Sequence, residues 1–305
     1  MRPHVIVLVA ISALAYPAMA SAQSRGVYPL GMTATNSGVT PAPGFTYANQ
    51  LLVYSRDRAT GENGETIATG SNAVVMDMNT FTWASSRAWL GGARYSASAT
   101  LPIARNNLTS DINGTINDAA GLADSFYLPL ILGWNAERTD LRVLYGFLAP
   151  TGRFTPGADD NVGSGYWTHT VSSGQTVSLT NDKRVLLSAY EMYELHTTQK
   201  GTGTQPGDTL SVDYSLMAVL PMREDAWRLQ VGFAGYEQYQ TTAKTGPAVS
   251  AVASTERYVI HAIGFAANAA IPRHGVTLGV KYFEEVGTRS TFEGYSLQVS
   301  AAFTF

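Results

Sequence analysis

Six charged residues interrupt alternating stretches that otherwise carry little charge: Asp77, Arg94, Arg142, Asp213, Arg228 and Lys281. A charge in such a stretch belongs on a polar face, where it pairs with an opposite charge or meets a solute. Both signs occur, so there is no single-sign array of the kind that filters phosphate or cations. Aromatic residues with polar tips form a second set, Tyr166 with Trp167 and Tyr236 with Tyr239. Each can anchor at an interface or touch an apolar solute. Asp159, Asp160 and Asn161 offer oxygen ligands for calcium, or are simply a solvated loop. Covalent chemistry has little to work with. There is no cysteine and no G-x-S-x-G. Ser188 and Ser215 lie on alternating stretches, and nothing in the spacing places His169, His196, His261 or His274 against either. No glycine-rich strand-to-helix motif suggests a nucleotide. The expectation is a protein without catalysis, metal or cofactor, with lipid hydrolysis as the enzymatic alternative.

The elements that carry these residues have period two. In GYSLQVSAAFTF, Tyr295, Leu297, Val299, Ala301, Phe303 and Phe305 share one parity, and polar or small residues take the other. At the opposite end, MRPHVIVLVAISALAYPAMASAQS has a basic start, an apolar run from Val5 to Ala15 and an Ala20-Ser21-Ala22 cleavage pattern. Residues 1–22 therefore read as a secretory signal peptide. With 305 residues and a net charge of −3, the chain is large enough for one sizeable domain and lacks a basic block for nucleic acid. Mean hydropathy is −0.02, and no later apolar run reaches helical spanning length. If the exported chain enters a membrane, it must do so as strands closed into a barrel, because open edges leave backbone groups unpaired in lipid.

Residues 23–44 lack a period and read as an extended N-terminal segment, with lumen and periplasm both open to it. Twelve strands follow: 45–55, 74–85, 89–101, 124–136, 141–149, 166–180, 185–197, 209–220, 227–240, 257–269, 275–285 and 294–305. In the fourth, Phe126, Leu128, Leu130, Leu132 and Trp134 share a parity, and Pro129 stands among them. Short links fall near 87, 138, 182, 223 and 272. Longer ones fall at 56–73, 102–123, 150–165, 198–208 and 241–256, with a short one near 288. An even count with alternating short and long links is the pattern of an outer-membrane barrel. The fold class is all-β, a transmembrane antiparallel barrel over 45–305. On that reading the six charges line the lumen, and the four aromatics mark the rim or a solute contact.

LGWNAERTDLRVLYGFLAPTGRFTPGADDNVGSGYW (132–167), GDTLSVDYSLMAVLP (207–221), GYEQYQTTAKTG (235–246) and the lead pieces VYPLG and TPAPG are together similar to one family. The chain resembles the outer-membrane proteins grouped under the meta-pathway of phenol degradation, distantly similar to hydrophobic-compound transport barrels. HTTQKGTGTQPGD departs from that family's Asn-x-x-Thr-x-Tyr pattern. The resemblance implies passive uptake of small hydrophobic or aromatic compounds across the outer membrane of a Gram-negative bacterium. Its expected partners are outer-membrane lipid and lipopolysaccharide, the barrel-assembly machinery through the strand ending at Phe305, and the solutes themselves. The alternative is a structural or surface-interaction barrel without transport.

Overall fold

The computed structural model describes residues 25–112, 114–222 and 227–305. The signal peptide expected over 1–22 and the centre of the link expected near 223 lie outside the described residues. The strands are β1 (Gly44–Thr60), β2 (Thr66–Trp89), β3 (Ala93–Ser110), β4 (Gly114–Leu122), β5 (Ser125–Asn135), β6 (Thr139–Ala149) and β7 (Thr168–Ser178). They continue with β8 (Val185–His196), β9 (Thr209–Pro221), β10 (Arg228–Gln240), β11 (Val259–Ile271), β12 (Val276–Arg289) and β13 (Phe292–Thr304).

Every pairing between them is antiparallel. β13 returns to β1, with Val299 opposite Leu51, and β2 pairs with β3, so the sheet closes on itself. Among the described residues twelve strands form the ring. β4 stands outside it, paired only with the outer half of β3. Closure satisfies the backbone without leaving an edge. The last residue takes part: Phe305 N donates to Phe45 O at 2.9 Å.

The period-two pattern explains which side chains face out. Leu51, Val143, Leu187, Leu216, Phe233, Phe265, Val280 and Val299 are all exposed on the outer wall. An apolar band exposed around the whole ring is what hydrocarbon requires, and water does not tolerate it. Aromatic pairs border the band. Phe45 with Phe81 and Trp83 with Tyr95 lie toward the end that holds the start of β1, and Phe147 with Trp167 toward the opposite, loop-bearing end. The inner face mixes polar residues, with Thr170, Ser188, Ser211, Asp213 and Gln298 all buried, and an apolar cluster that includes Ile131, Leu144, Met217, Ile260 and Phe283.

Two sequence expectations change. The links expected at 56–73 and 102–123 are mostly strand: β1 runs to Thr60, β2 begins at Thr66, and β3 continues to Ser110 before β4 returns. These hairpins project past the ring, where both faces are polar, so no apolar alternation marked them. The second change is in β5. Pro129 sits in a bulge: the three steps from Leu128 to Ile131 face the two from Ser96 to Ser98. The extra residue switches parity. Phe126 and Leu128 pack into the interior, while Leu130 is exposed on the wall, so the five apolar residues do not share a face.

The bulge makes a specific prediction. Deleting Pro129 should leave a folded barrel, because the two halves of β5 already face correctly on either side of the extra residue. By contrast, Leu130→Arg should cost about 2–4 kcal/mol, as a charge facing mid-bilayer lipid does. Heat-dependent gel mobility and urea unfolding in lipid would check both, and failure of the deletion variant to fold would contradict this register.

Candidate functional site

The ring is not empty. Residues 25–43 enter beside the start of β1 and run through the lumen to the loop-bearing end. A chain without sheet partners has backbone donors and acceptors to satisfy, and inward side chains of the strands supply them. In order along the segment, Arg94 donates to Pro41 O at 3.1 Å and Arg142 Nε to Ser37 O at 2.8 Å. Ser215 Oγ donates to Ala34 O at 2.7 Å and Gln298 Nε2 to Leu30 O at 2.7 Å. Glu194 accepts from Tyr28 N at 2.7 Å, and Arg25 reaches Glu285 at 2.6 Å.

Asp213 is the centre of this attachment. It accepts from Tyr28 Oη at 2.5 Å, Gly31 N at 2.9 Å and Thr33 N at 3.1 Å. Lys281 holds the same turn from the other side, donating to Gly31 O at 3.0 Å and to Met32 O. Gly31 has φ +78°, and a Cβ there would lie 2.5 Å from the Phe283 ring, so this turn requires glycine. Gly174 on β7 provides clearance in the opposite sense: a Cβ would meet Ser37 O at 2.2 Å.

Where the segment leaves the wall, a cavity of about 100 Å³ remains. Met32, Met76, Met78, Met192 and Phe126 make its apolar lining. Thioether side chains adapt their shape to what they enclose. An apolar cavity of ~150 Å³ takes up benzene, so this space is on the scale of one small ring. Thr170 Oγ1 also lines it and is buried without a hydrogen-bond partner. Its hydroxyl is a polar handle on that lining, and a buried orphan of this kind calls for an explanation. A second chamber, about 530 Å³, opens at the loop-bearing end between the projecting hairpins and the turn after β12.

Arg94, Arg142, Asp213 and Lys281 thus face the lumen and hold the segment. Arg228 has inward parity but is exposed at the very start of β10. Asp77 does not face the lumen. It shares the outward parity of Val75, Phe81 and Trp83, and accepts from Asn49 on the outer wall. The aromatics divide as well. Tyr236 is fully buried inside, 5.0 Å from Phe283, with its hydroxyl 3.2 Å from Glu285. Tyr239 lies outside, its hydroxyl on Glu237, which also holds His261. Trp167 is on the wall, whereas Tyr166 is buried under the 150–167 loop against His196. Burial pushes the Tyr166 phenol well above its usual range.

Elsewhere the polar groups brace loops. Asp124 accepts from Gly152 N, Ser164 N and Ser164 Oγ, which fixes the long loop over the cavity. Asp160 pairs with Arg153 at 3.1 Å, and Asn161 caps Thr155 N at 2.7 Å. Ser188 and Ser215 bond Thr176 and Ala34 O, not a histidine. Among the described residues no group of three or more metal-ligating side chains comes together. The methionine cavity, Thr170 and Glu194 were not singled out in the sequence, although Met76 with Met78 and Met192 with Glu194 each stand two apart on their strands.

The comparisons with known proteins agree with this architecture. A family model described as "Putative MetA-pathway of phenol degradation" matches residues 56–301. The COG4313 outer membrane channel from Pseudomonas putida F1 superposes with a TM-score of 0.73 at 11% identity, covering 89% of this chain and 98% of that one. The β-domain of the Bordetella autotransporter BrkA gives 0.58 at 12% identity, over 87% of this chain and all (100%) of the other. The translocator domain of the autotransporter NalP from Neisseria meningitidis gives 0.51 at 13%, over 90% and 92%. No curated protein matches. At these identities the structures share the fold.

The segment's attachment can be tested with a thiol, since the chain has none. Ser37 is fully buried, so Ser37→Cys should react slowly with a water-soluble maleimide. Adding Asp213→Ala removes an acceptor of three bonds and should speed labelling about tenfold or more, as loss of a charged hydrogen-bond partner implies. Equal rates would show that Asp213 does not hold the segment.

Proposed function

We propose that this chain, which belongs to the family named for the MetA-pathway of phenol degradation, is a passive outer-membrane channel for small hydrophobic or aromatic compounds. The observation that carries the reading is the apolar cavity inside the barrel, on the scale of one small ring, where methionines from two strands and the luminal segment converge. A water-filled general pore has no use for four methionines converging on one point. The family's name and the channel of the P. putida fold relative support the same reading. The loop-bearing end is the outer one, because long connections of such barrels face outward and short turns face the periplasm.

In this mechanism a solute leaves water or lipid for the outer chamber and passes the first inward residues of β1 and β2. It then rests among Met76, Met78 and Met192. Thr170 gives a hydroxylated ring a hydrogen bond there. The segment 25–43 fills the passage below, and its displacement, or a route through the wall, releases the solute. Lipopolysaccharide is the expected neighbour of the wall, and the strand ending at Phe305 is the proposed handle for the barrel-assembly machinery. A second reading, a barrel that conducts nothing and works through its projecting hairpins, has an observation of its own: the lumen segment is tied from end to end.

Entry of toluene, phenol and a small sugar into liposomes bearing the folded protein, with empty liposomes subtracted, separates the two. The channel reading expects protein-dependent entry of the two aromatics and little sugar. No protein-dependent flux would leave the non-conducting barrel. Thr170→Val keeps the shape and removes the handle, so phenol entry should fall about threefold to tenfold relative to toluene, the worth of one hydrogen bond.

A further inference from the structure

The outer chamber contains a charge that its surroundings do not fully use. Arg56 stands on the inward face near the outer end of β1 and lines the chamber together with Asn72, Thr291 and Phe292. It is 8% exposed. One of its guanidinium nitrogens donates to Asn72 Oδ1 at 3.0 Å, and the guanidinium lies 4.3 Å from the centre of the Tyr54 ring. Its Nε is buried with no hydrogen-bond partner.

The nearest carboxylate does not fill that vacancy. Both oxygens of Glu285 accept from Arg25, at 2.6 and 3.1 Å, and Gly294 N and Tyr236 add to them. Arg56 Nε remains 3.9 Å from Glu285, a charge contact beyond hydrogen-bond range. Glu293 is held by Arg58 and Thr288. Asp57 is mostly exposed and lies against Arg58, not Arg56. Two guanidinium groups therefore share one buried carboxylate, and Arg56, the one that lines the chamber, has its Nε turned toward Glu285 without a hydrogen bond to it.

We infer that Arg56 is a binding site for the anionic oxygen of a small aromatic solute, a ring carboxylate or a phenolate, on its way inward. A guanidinium is the group best matched to such an oxygen, and the chamber is roomy enough to admit a ring around it. Its position suits this task. Below the Arg56–Asn72 pair on the same two strands come the Tyr54–Val74 pair and then Leu52 with Met76, the start of the methionine cavity. Asn72 and Met76 are four residues apart on β2, about 13 Å of strand, so a solute released from Arg56 meets the methionine lining as the next station on its way inward. The site makes the uptake selective for rings that carry an acidic oxygen over bare hydrocarbons. This inference rests on the channel reading.

The test uses benzoate and toluene entry into liposomes bearing the full, folded chain, with Arg56→Gln, Arg56→Lys and, for comparison, Arg58→Gln. The expected result is a loss of about tenfold in benzoate entry for Arg56→Gln, with toluene entry within about twofold of the parent, as removal of one charge-assisted hydrogen bond implies. Arg56→Lys should restore part of the loss, and Arg58→Gln should change the ratio little. Benzoate and toluene changing together, or neither changing, would overturn the inference while leaving the channel reading intact. Absence of toluene entry in the parent would overturn both. If Arg56→Gln does not fold, competition in the parent decides: benzoate should slow phenol entry and benzylammonium should not. Equal effects of the two competitors would overturn the assignment.

Discussion

A sheet in hydrocarbon cannot keep an edge, and the molecule is organised by that constraint. Closing twelve strands satisfies the wall's backbone but encloses a lumen wider than the inward side chains fill. A second stretch of chain occupies that space, and it brings unpaired backbone groups of its own. The inward polar residues exist in that relation. Asp213, Lys281, Glu194, Gln298, Ser215 and Arg142 each bond the backbone of residues 25–43. The charges inside the barrel are thus mostly occupied in holding the chain, and few are left to face a solute.

What remains free inside is correspondingly informative. The segment leaves an apolar cavity where methionines from β2, β8 and the segment itself meet. Thioethers give that space an apolar lining that adjusts its shape to what it encloses. The two unsatisfied groups used in the functional reading, Thr170 Oγ1 and Arg56 Nε, are among several buried polar atoms that no protein group bonds. The same attachment that closes most of the lumen thereby defines the places where a small molecule still finds donors and apolar contact.

The barrel was legible in the sequence because lipid on one face and a polar lumen on the other impose strict alternation on most strands. Leu210 to Leu220 and Tyr295 to Phe305 show it plainly. Legibility failed where that contrast disappears. Residues 56–73 and 102–123 carry polar residues on both faces, so strand and loop look alike. Pro129 lies within an unbroken apolar run whose parity continues, yet the bulge reverses its facing. Asp77 shows the limit of inferring direction from charge: on β2 the outward face carries Asp77 and Asn79, and the inward face carries Met76 and Met78. The N-terminal segment has no period at all, because irregular backbone fixed by side chains leaves no repeating pattern to read.

The course of residues 25–43 also orders the birth of the molecule. The segment spans the lumen from Gly44, at one rim, to Arg25, tied to Glu285 and Thr291 at the other. The wall around it is completed where β13 pairs with β1. A barrel already sealed would have to draw Arg25 past the narrows at Gly174 and Asp213 to reach that position. It is simpler for the strands to be wrapped around the segment, as staves are set around a mandrel. Residues 25–43 then act as an internal template, and the seam between β1 and β13 closes the ring around them.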